Sequence, residues 1–162
     1  MMTHEKFRNL FLTLAAVTTL VSCGTSSSTS QETRHAEEYL SLLKFKMQKD
    51  TVGGIYYTVN FKNMSEENTI KYIYCSFFAR NSVGDEVYCT IRGKGVRYVR
   101  VVGPLEPLAT TGDKKTDAYI YNSEAKTGGF NALYLEYMDG NTITFSIPMI
   151  NELMNAYNAS LK

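Results

Sequence analysis

From residue 40 onward, hydrophobic and polar residues alternate along much of the chain, and this period of two predicts half-buried β-strands. Segment 43–48 predicts a strand with Leu43, Phe45 and Met47 on one face. Segment 69–80 is apolar on both faces, which favours a central strand that is covered on both sides or whose tyrosines stay partly exposed. The clearest alternation is in 55–62, where the predicted inward side chains are Ile55, Tyr57, Val59 and Phe61.

The next hydrophobic segments predict shorter strands at 87–91, 96–102 and 117–121, with a turn at 81–84 after the central strand. Between the second and the third of them lies a long loop. Its prolines, Pro104 and Pro107, exclude a paired central strand there, because proline cannot donate to a β-ladder.

The pattern around residue 140 predicts a β-hairpin followed by a helix. The apolar residues at 133, 135 and 137 must share a face with those at 143, 145 and 147, which requires a loop of odd length. The loop Met138-Asp139-Gly140 satisfies this and places Gly140 at the left-handed position of a bulge. After Pro148 the apolar residues recur at helical spacing, which predicts a short amphipathic helix that closes the domain or binds a partner or membrane surface. These residues are Ile150, Leu153, Met154, Tyr157 and Leu161.

Several short strands, regular turn signals and no alternation of strands with helices predict an all-β fold. We expect an antiparallel β-sandwich of about seven strands with a short C-terminal amphipathic helix.

The first 32 residues have a different organisation. Lys6 and Arg8 precede an apolar stretch at 10–21 that is shorter than the roughly 20 residues of a membrane span, which is typical of a secretory signal peptide. The sequence Leu20-Val21-Ser22-Cys23 resembles the bacterial lipobox. An ordinary signal peptide with an incidental cysteine is the alternative.

The lipobox resemblance implies that residues 1–22 are removed and that the thiol of Cys23 carries a diacylglycerol anchor. A Ser/Thr-rich tether over 23–38 would then join the lipid to a folded body over 39–162. Two or more acyl chains anchor a protein stably in a membrane. By the sorting rule of enteric bacteria, Gly24 after the cysteine favours the outer membrane, with its periplasmic or external face left open.

The turn and core residues of segment 50–145 resemble the Ig-like modules of lipoproteins in the envelope of Bacteroidetes. The matching features are Gly53-Gly54, Asn63, Ile70-Lys71-Tyr72, Asn81 with Val83-Gly84-Asp85, Gly103-Pro104, and Tyr137 with Asp139-Gly140. The resemblance implies an Ig-like sandwich, and it implies no general activity.

Charge and histidine content exclude several classes of function. Without residues 1–22 the chain has 15 basic and 15 acidic residues, so the basic surplus expected for a nucleic-acid partner is missing. Both histidines, His4 and His35, precede the predicted body, which excludes Ser-His-Asp and Cys-His catalysis and histidine zinc sites within it. No phosphate-binding, dinucleotide-binding or EF-hand pattern occurs. We therefore predict a non-enzymatic protein without cofactor or metal.

Two groups of residues are candidates for a role in the body. Cys75 and Cys89 are predicted on facing strands of one hairpin, as a disulfide or as two buried free thiols. The outward tyrosines and the basic stretch that follows them form a candidate binding surface for a glycan or an envelope protein. We expect them to be dispersed, ordinary surface residues of an edge strand. They are Tyr56, Tyr88, Arg92 and Arg97.

The function predicted from the sequence is a lipid-anchored Ig-like binding or assembly module of the cell envelope. Its partners would be the membrane, through the lipid, and an envelope protein or glycan. The alternative is a fimbrial or surface-assembly subunit that polymerises by strand addition, with 43–49 as the exchanged strand. A hydrolase would need a buried pair of carboxylates in a cleft.

Overall fold

The computed structural model describes residues 35–95, 97–117 and 119–162. Within these residues, a 3-10 helix at Ala36–Glu38 precedes nine strands and one α-helix. In chain order they are β1 (Leu40–Lys49), β2 (Gly54–Asn63), β3 (Ile70–Arg80), β4 (Glu86–Val87), β5 (Val99–Leu105), β6 (Lys114–Lys115), β7 (Ile120–Tyr121), β8 (Thr127–Tyr137), β9 (Thr142–Thr144) and α1 (Ile147–Ser160). The predicted signal peptide and Cys23 lie outside the described residues.

The strands form two antiparallel sheets. In the four-stranded sheet, β2 lies between β1 and the short strands β6 and β7. In the five-stranded sheet, β3 is central, with β8 and then β9 on one side and β4 and β5 on the other. Side chains of both sheets meet in one core, where the ring of Tyr57 on β2 stacks on that of Phe77 on β3 at 4.3 Å. The prediction of an all-β antiparallel sandwich with a C-terminal helix is confirmed.

The inner face of β2 agrees with its hydrophobic pattern, since all four predicted inward residues are buried. The inward face predicted for β1 is wrong in part. Leu42 lies opposite Phe61 and Lys44 opposite Asn60, so Leu43 is the extra residue of a β-bulge. Leu43 is 47% exposed and Leu42 is buried instead, because one inserted residue reverses the faces of the residues before it.

The apolar residues of β3 on both faces reflect its central position. Its inner face is buried, and it comprises Ile73, Cys75, Phe77 and Ala79. On the outer face Tyr72, Tyr74 and Phe78 are half-buried, which corresponds to the second of the two predicted arrangements.

The segment after β3 departs from its predicted structure. β4 has only two residues, and the chain then turns, with the N–H of Gly93 donating to the carbonyl of Cys89 at 2.7 Å. Ile91 is exposed, so the predicted strand 87–91 is wrong beyond Val87. A short alternation cannot specify a strand where no neighbouring strand is available to pair with it.

The strand predicted at 96–102 begins later and extends further, as β5 over Val99–Leu105. Pro104 is tolerated there because β5 pairs with a neighbour, β3, on one side of the strand only. Gly103 is required by a close approach of backbones, since a Cβ atom there would lie 2.5 Å from the carbonyl oxygen of Ile70.

The two cysteines are free thiols. Cys75 lies opposite Val99 and Leu133, whereas Cys89 lies in the turn after β4. The facing-strand arrangement that a disulfide needs is therefore not formed, because the predicted second strand of that hairpin ends at Val87. Burial raises the pKa of the Cys75 thiol.

Residues 109–117 and 119–122 run along the free side of β2 and are called the β2 strap below. The hydroxyl oxygens of Thr116 and Thr111 accept hydrogen bonds from the N–H groups of Tyr57 and Phe61, each at 3.0 Å. The N–H groups of the same two threonines donate to the carbonyls of the same two β2 residues at 2.8 Å. Side chains thus complete this border of the sheet where β6 and β7 are too short to do so.

The hairpin prediction near residue 140 is confirmed. Leu135 lies opposite Ile143, and the φ of Gly140 is +89°. The N–H of Phe145 donates to the carbonyl of Leu133 at 3.0 Å. Ile147, predicted to share the inner face of the hairpin, is exposed instead, because the helix already begins at that residue.

Helix α1 closes the domain, as one of the two predicted alternatives states. The hydroxyl of Ser146 accepts a hydrogen bond from the N–H of Met149, which caps the helix, and Pro148 occupies the first turn. Its buried side chains are Met149, Ile150 and Leu153, whereas Leu161 is exposed. The hydroxyl of Tyr157 donates to the carbonyl of Phe45 on β1 at 3.1 Å.

The packed structure begins within the predicted tether. Ala36 is buried, and its N–H donates to a carboxylate oxygen of Glu152 on α1 at 3.0 Å. The other carboxylate oxygen of Glu152 lies 3.0 Å from Nδ1 of His35. Glu152 therefore fixes residues 35–36 to the helix, and these contacts lower the pKa of its carboxyl group, the hydrogen bond from Ala36 most.

Candidate binding face

Four tyrosines lie together on the outer face of the five-stranded sheet, and we call this surface the tyrosine face. Tyr72 and Tyr74 belong to β3, Tyr134 to β8, and Tyr98 immediately precedes β5. The register places Tyr74 opposite Tyr134 and also opposite Arg100 of β5. Three separate parts of the chain thus contribute side chains to one surface.

The tyrosine rings are packed against one another. The rings of Tyr74 and Tyr134 are stacked, with centroids 4.2 Å apart and planes inclined by 11°. The ring of Tyr98 meets that of Tyr134 edge-on at 5.7 Å, and the ring of Tyr72 meets that of Tyr74 at 5.8 Å. Because each ring restrains its neighbour, little side-chain entropy remains to be lost when a partner binds.

A small residue under the rings makes this packing feasible. Cys75 lies opposite Val99, so the preceding residue, Tyr98, is placed next to Ser76. Ser76 is buried, and its short side chain lets the ring of Tyr98 extend across β3 to Tyr134. A large side chain at position 76 would separate the two rings.

Charged groups of both signs frame the tyrosines. The guanidinium carbon of Arg100 lies 4.7 Å from the ring centroid of Tyr72, and Nζ of Lys71 lies 5.1 Å from the same centroid. Lys71 also pairs with Glu136 at 2.8 Å. The hydrogen bond from Lys71 lowers the pKa of the Glu136 carboxyl group. Among the described residues, Arg100 has no carboxylate at ion-pair distance.

The composition of the tyrosine face is suited to binding. Tyrosine and arginine are over-represented at protein interfaces and among the residues that carry most of their binding energy. Val102, on the same face of β5, is 60% exposed and adds an apolar contact. The arrangement offers ring edges, hydroxyl groups and one unpaired guanidinium, and it offers no nucleophile paired with a base.

The structure separates Tyr56 from the other predicted surface residues. Tyr56 lies on β2 in the four-stranded sheet, where its hydroxyl donates to Asp50 at 2.9 Å. Nζ of Lys115 lies 4.6 Å from its ring centroid. The hydroxyl and one ring face of Tyr56 are thus both engaged within the fold, where they support the turn at Asp50.

Tyr88, Arg92 and Arg97 come together around a groove of about 70 Å³ beside β4. Nζ of Lys94 lies 4.9 Å from the ring of Tyr88, and the guanidinium of Arg97 lies 5.8 Å from the ring of Tyr119. Cations already lie over these rings, and the groove is well below the roughly 300–1,000 Å³ of a typical ligand pocket.

Sequence reasoning missed Tyr72, Tyr74 and Tyr98 as site residues. The signal was present, because β3 is apolar on both faces although one of those faces has no second layer over it. In a two-layer sandwich, aromatic residues at alternate outward positions of a central strand indicate a surface that is available to a partner.

The buried polar residues in the described part of the chain are Thr58, Asn63, Ser76 and Thr116, and none of these is a carboxylic acid. The buried pair that a hydrolase would need is therefore not found among them. The one α-helix of the same part is too short and too polar to cross a membrane.

Comparison with known proteins adds little to this picture. No family model matches the sequence, and no curated protein matches it as a relative. The solved structure of IrmA from Escherichia coli aligns with this protein at 12% sequence identity and a TM-score of 0.43. The alignment covers 68% of this chain and 87% of the IrmA chain. At this level of similarity the likeness carries no conclusion about function.

Proposed function

We propose that this protein is a lipid-anchored, non-enzymatic binding module of the bacterial cell envelope and that its Ig-like sandwich presents the tyrosine face to a partner. The observation that carries the proposal is the set of four mutually packed tyrosines on an open sheet face. A solvent-facing sheet surface needs no such set for folding, since polar residues suffice there.

The preformed geometry of the tyrosine face lowers the entropic cost of binding. Binding usually orders flexible side chains at an interface, at a cost of about 0.5–1.5 kcal/mol for each long side chain. Tyr74 and Tyr134 are already stacked, so most of their contact area is available without that cost. A partner that covers the face therefore gains by removing from water the parts of these rings that are still exposed.

The anchor rests on the lipobox at Leu20–Cys23, with the predicted outer-membrane location that follows from it. Metabolic labelling with a tagged fatty acid tests it. We expect label on the wild-type chain and none on Cys23→Ala, whereas undiminished label on the variant would contradict the anchor.

The binding role is tested by replacing the stacked pair. In a Cys23→Ala background, which removes the proposed lipid, we expect Tyr74→Ser combined with Tyr134→Ser to abolish binding of the purified protein to isolated envelope fractions, because both rings leave the centre of the face. Tyr88→Ser is the matched control, since this ring lies outside the face and under Lys94. Loss of binding with Tyr88→Ser and retention with the double variant would assign the role to the groove beside β4 instead.

The strand-addition alternative finds less support. β1 pairs with β2 from Leu40 to Lys49 with one bulge, and Tyr157 of α1 donates to its backbone. A strand that is exchanged between subunits must first break such contacts. We therefore base the proposal on the tyrosine face.

A further inference from the structure

We infer that the partner of the tyrosine face is a second copy of this chain, bound through the same face about a two-fold axis. This inference rests on the proposed binding role of the face and names its partner. It follows from the placement of opposite charges on the two sides of the tyrosines.

Arg100 and Glu136 flank β3 from opposite sides. Arg100 lies on β5 opposite Tyr74, and Glu136 lies on β8 opposite Tyr72. A two-fold axis in the plane of the face, passing between Tyr72 and Tyr74, exchanges the two flanks. Arg100 of each copy then meets Glu136 of the other, so the two ion pairs form together.

The charge pattern is what distinguishes a second copy from another occupant. A face of one sign would repel itself, whereas this one carries Arg100 on β5 and Glu136 on β8, with Lys71 on β3 between them and paired with Glu136. Arg100 is close enough to Glu136 of its own copy to interact with it electrostatically, but it has no carboxylate at ion-pair distance among the described residues. The pair of Lys71 with Glu136 leaves carboxylate oxygen Oε2 with one long contact, 3.4 Å, from Tyr74. That oxygen is the acceptor the incoming guanidinium needs.

The ring geometry disfavours a sugar. Stacking on a sugar ring uses the flat face of an aromatic side chain, and Tyr74 and Tyr134 already occupy one face of each other. Arg100 and Lys71 cover Tyr72. What the surface offers to solvent is ring edges and hydroxyl groups, which interdigitate well with the same groups of a second copy.

The size of the face predicts a weak dimer. Four strands about 4.8 Å apart and roughly 20 Å long give about 400 Å² for each copy, which is half of what a stable interface normally buries. Anchoring both copies in one membrane raises their effective concentration and compensates for this. A two-fold rotation leaves the height of every point along its axis unchanged. The first residues of the two folded bodies therefore lie at the same height, which lets both lipid anchors enter one membrane.

The test is a charge exchange in the full chain as cells process it, followed by sedimentation at increasing concentration. We expect a wild-type monomer–dimer equilibrium, and at least a tenfold weaker one for Arg100→Glu and for Glu136→Arg, because each variant places like charges together. An equimolar mixture of the two variants restores both ion pairs and should dimerise again. Lys46→Glu, on the outer face of β1, is the matched control and should behave as wild type.

Several outcomes would overturn the inference. The first is a wild-type chain that stays monomeric both at concentrations up to about 1 mM and on phosphatidylcholine vesicles. The second is that the single variants dimerise as the wild type does. The third is that the equimolar mixture of the two variants stays monomeric. A monomeric chain that binds a glycan array through Tyr98 would also overturn it. In that case loss of binding in the Tyr74 and Tyr134 double variant would still support the binding role of the face.

Discussion

The two sheets of this sandwich differ in what completes them and in what they expose. The four-stranded sheet has a polar outer face, and its border at β2 is completed by threonine hydroxyls of the β2 strap. The five-stranded sheet is completed by backbone pairing of β3 with β8 and β5, and its outer face carries the tyrosines. Side chains thus complete the border of one sheet, whereas the outward tyrosines of the other sheet contact one another and solvent.

This difference predicts which substitutions should change stability and which should change association. In the four-stranded sheet, single polar residues satisfy buried backbone groups, so their loss should reduce the free energy of unfolding. In the five-stranded sheet, the outward residues contact one another and solvent, so their loss should change association far more than stability.

Asn63, at the end of β2, should show the largest effect on stability. Its buried side-chain amide donates to the carbonyls of Asn68, Leu105 and Glu106, and its Oδ1 accepts from the N–H of Ser65. We expect Asn63→Ala to lower the free energy of unfolding by about 3 kcal/mol, because several buried groups lose their partner together. Urea unfolding measures it, with Asn60→Ala on the outer face of β2 as the control. Equal effects of the two variants would contradict the expectation.

Thr116 should come next, since it is buried and bonds to β2. Thr116→Val keeps the shape and leaves the N–H of Tyr57 without an acceptor, which should cost about 1–2 kcal/mol. Thr142→Val, on the exposed edge strand β9, should change the free energy of unfolding by less than about 0.5 kcal/mol. If the two valine variants unfolded alike, the β2 strap would not be what completes its sheet.

The tyrosine pair should have a smaller effect on folding. A double-mutant cycle of Tyr74→Ser and Tyr134→Ser should give a coupling energy of about 1 kcal/mol, as expected for stacked rings. A coupling near zero would mean that the rings do not restrain each other in solution. A coupling of several kcal/mol would make the face structural and would weaken its contrast with the other sheet.

The smallest effect concerns Asp50 and Tyr56 at the turn between β1 and β2. The hydrogen bond between them lowers the pKa of the Asp50 carboxyl and raises the pKa of the Tyr56 hydroxyl. Stability from Asp50 is therefore present above about pH 4 and is lost as the pH falls further. Stability from Tyr56 is present below about pH 10 and is lost as the pH rises. Thermal melting across pH should be flatter at both ends for Tyr56→Phe than for wild type, and an unchanged profile would exclude the coupling.

The parts of the fold that could be predicted from the sequence are those with long local patterns. The alternation in β2 and the parity of the last hairpin each constrain many residues at once, so the inward face of β2, the register of the hairpin and its loop at 138–140 were predicted correctly, whereas Ile147 was not. The bulge at Leu43 was missed, because its cause is a contact with Phe61 and Asn60 that no local pattern records. The turn at Cys89 escaped prediction since short alternation does not show whether a partner strand exists.

The outward tyrosines of β3 left a signal in the sequence, but the assembly of the tyrosine face could not be predicted, for a related reason. Tyr72, Tyr74, Tyr98 and Tyr134 are brought together by the register of β5, β3 and β8, which is a property of the assembled sheet. The sequence shows only that β3 has apolar residues on both sides. Which side faces solvent depends on how many layers cover the sheet.

The hydrogen bond from Tyr157 to Phe45 joins residues 112 positions apart in the chain. β1 is therefore synthesised long before the helix that covers it, and during this interval a strand of ten residues has one unprotected edge. Helix α1 is the last of the described elements to be synthesised, and β1 is covered only in a chain that contains it. A chain that stops at Ser146 should accumulate in aggregates to a much greater extent than the full chain, which sedimentation of lysates from expressing cells would show.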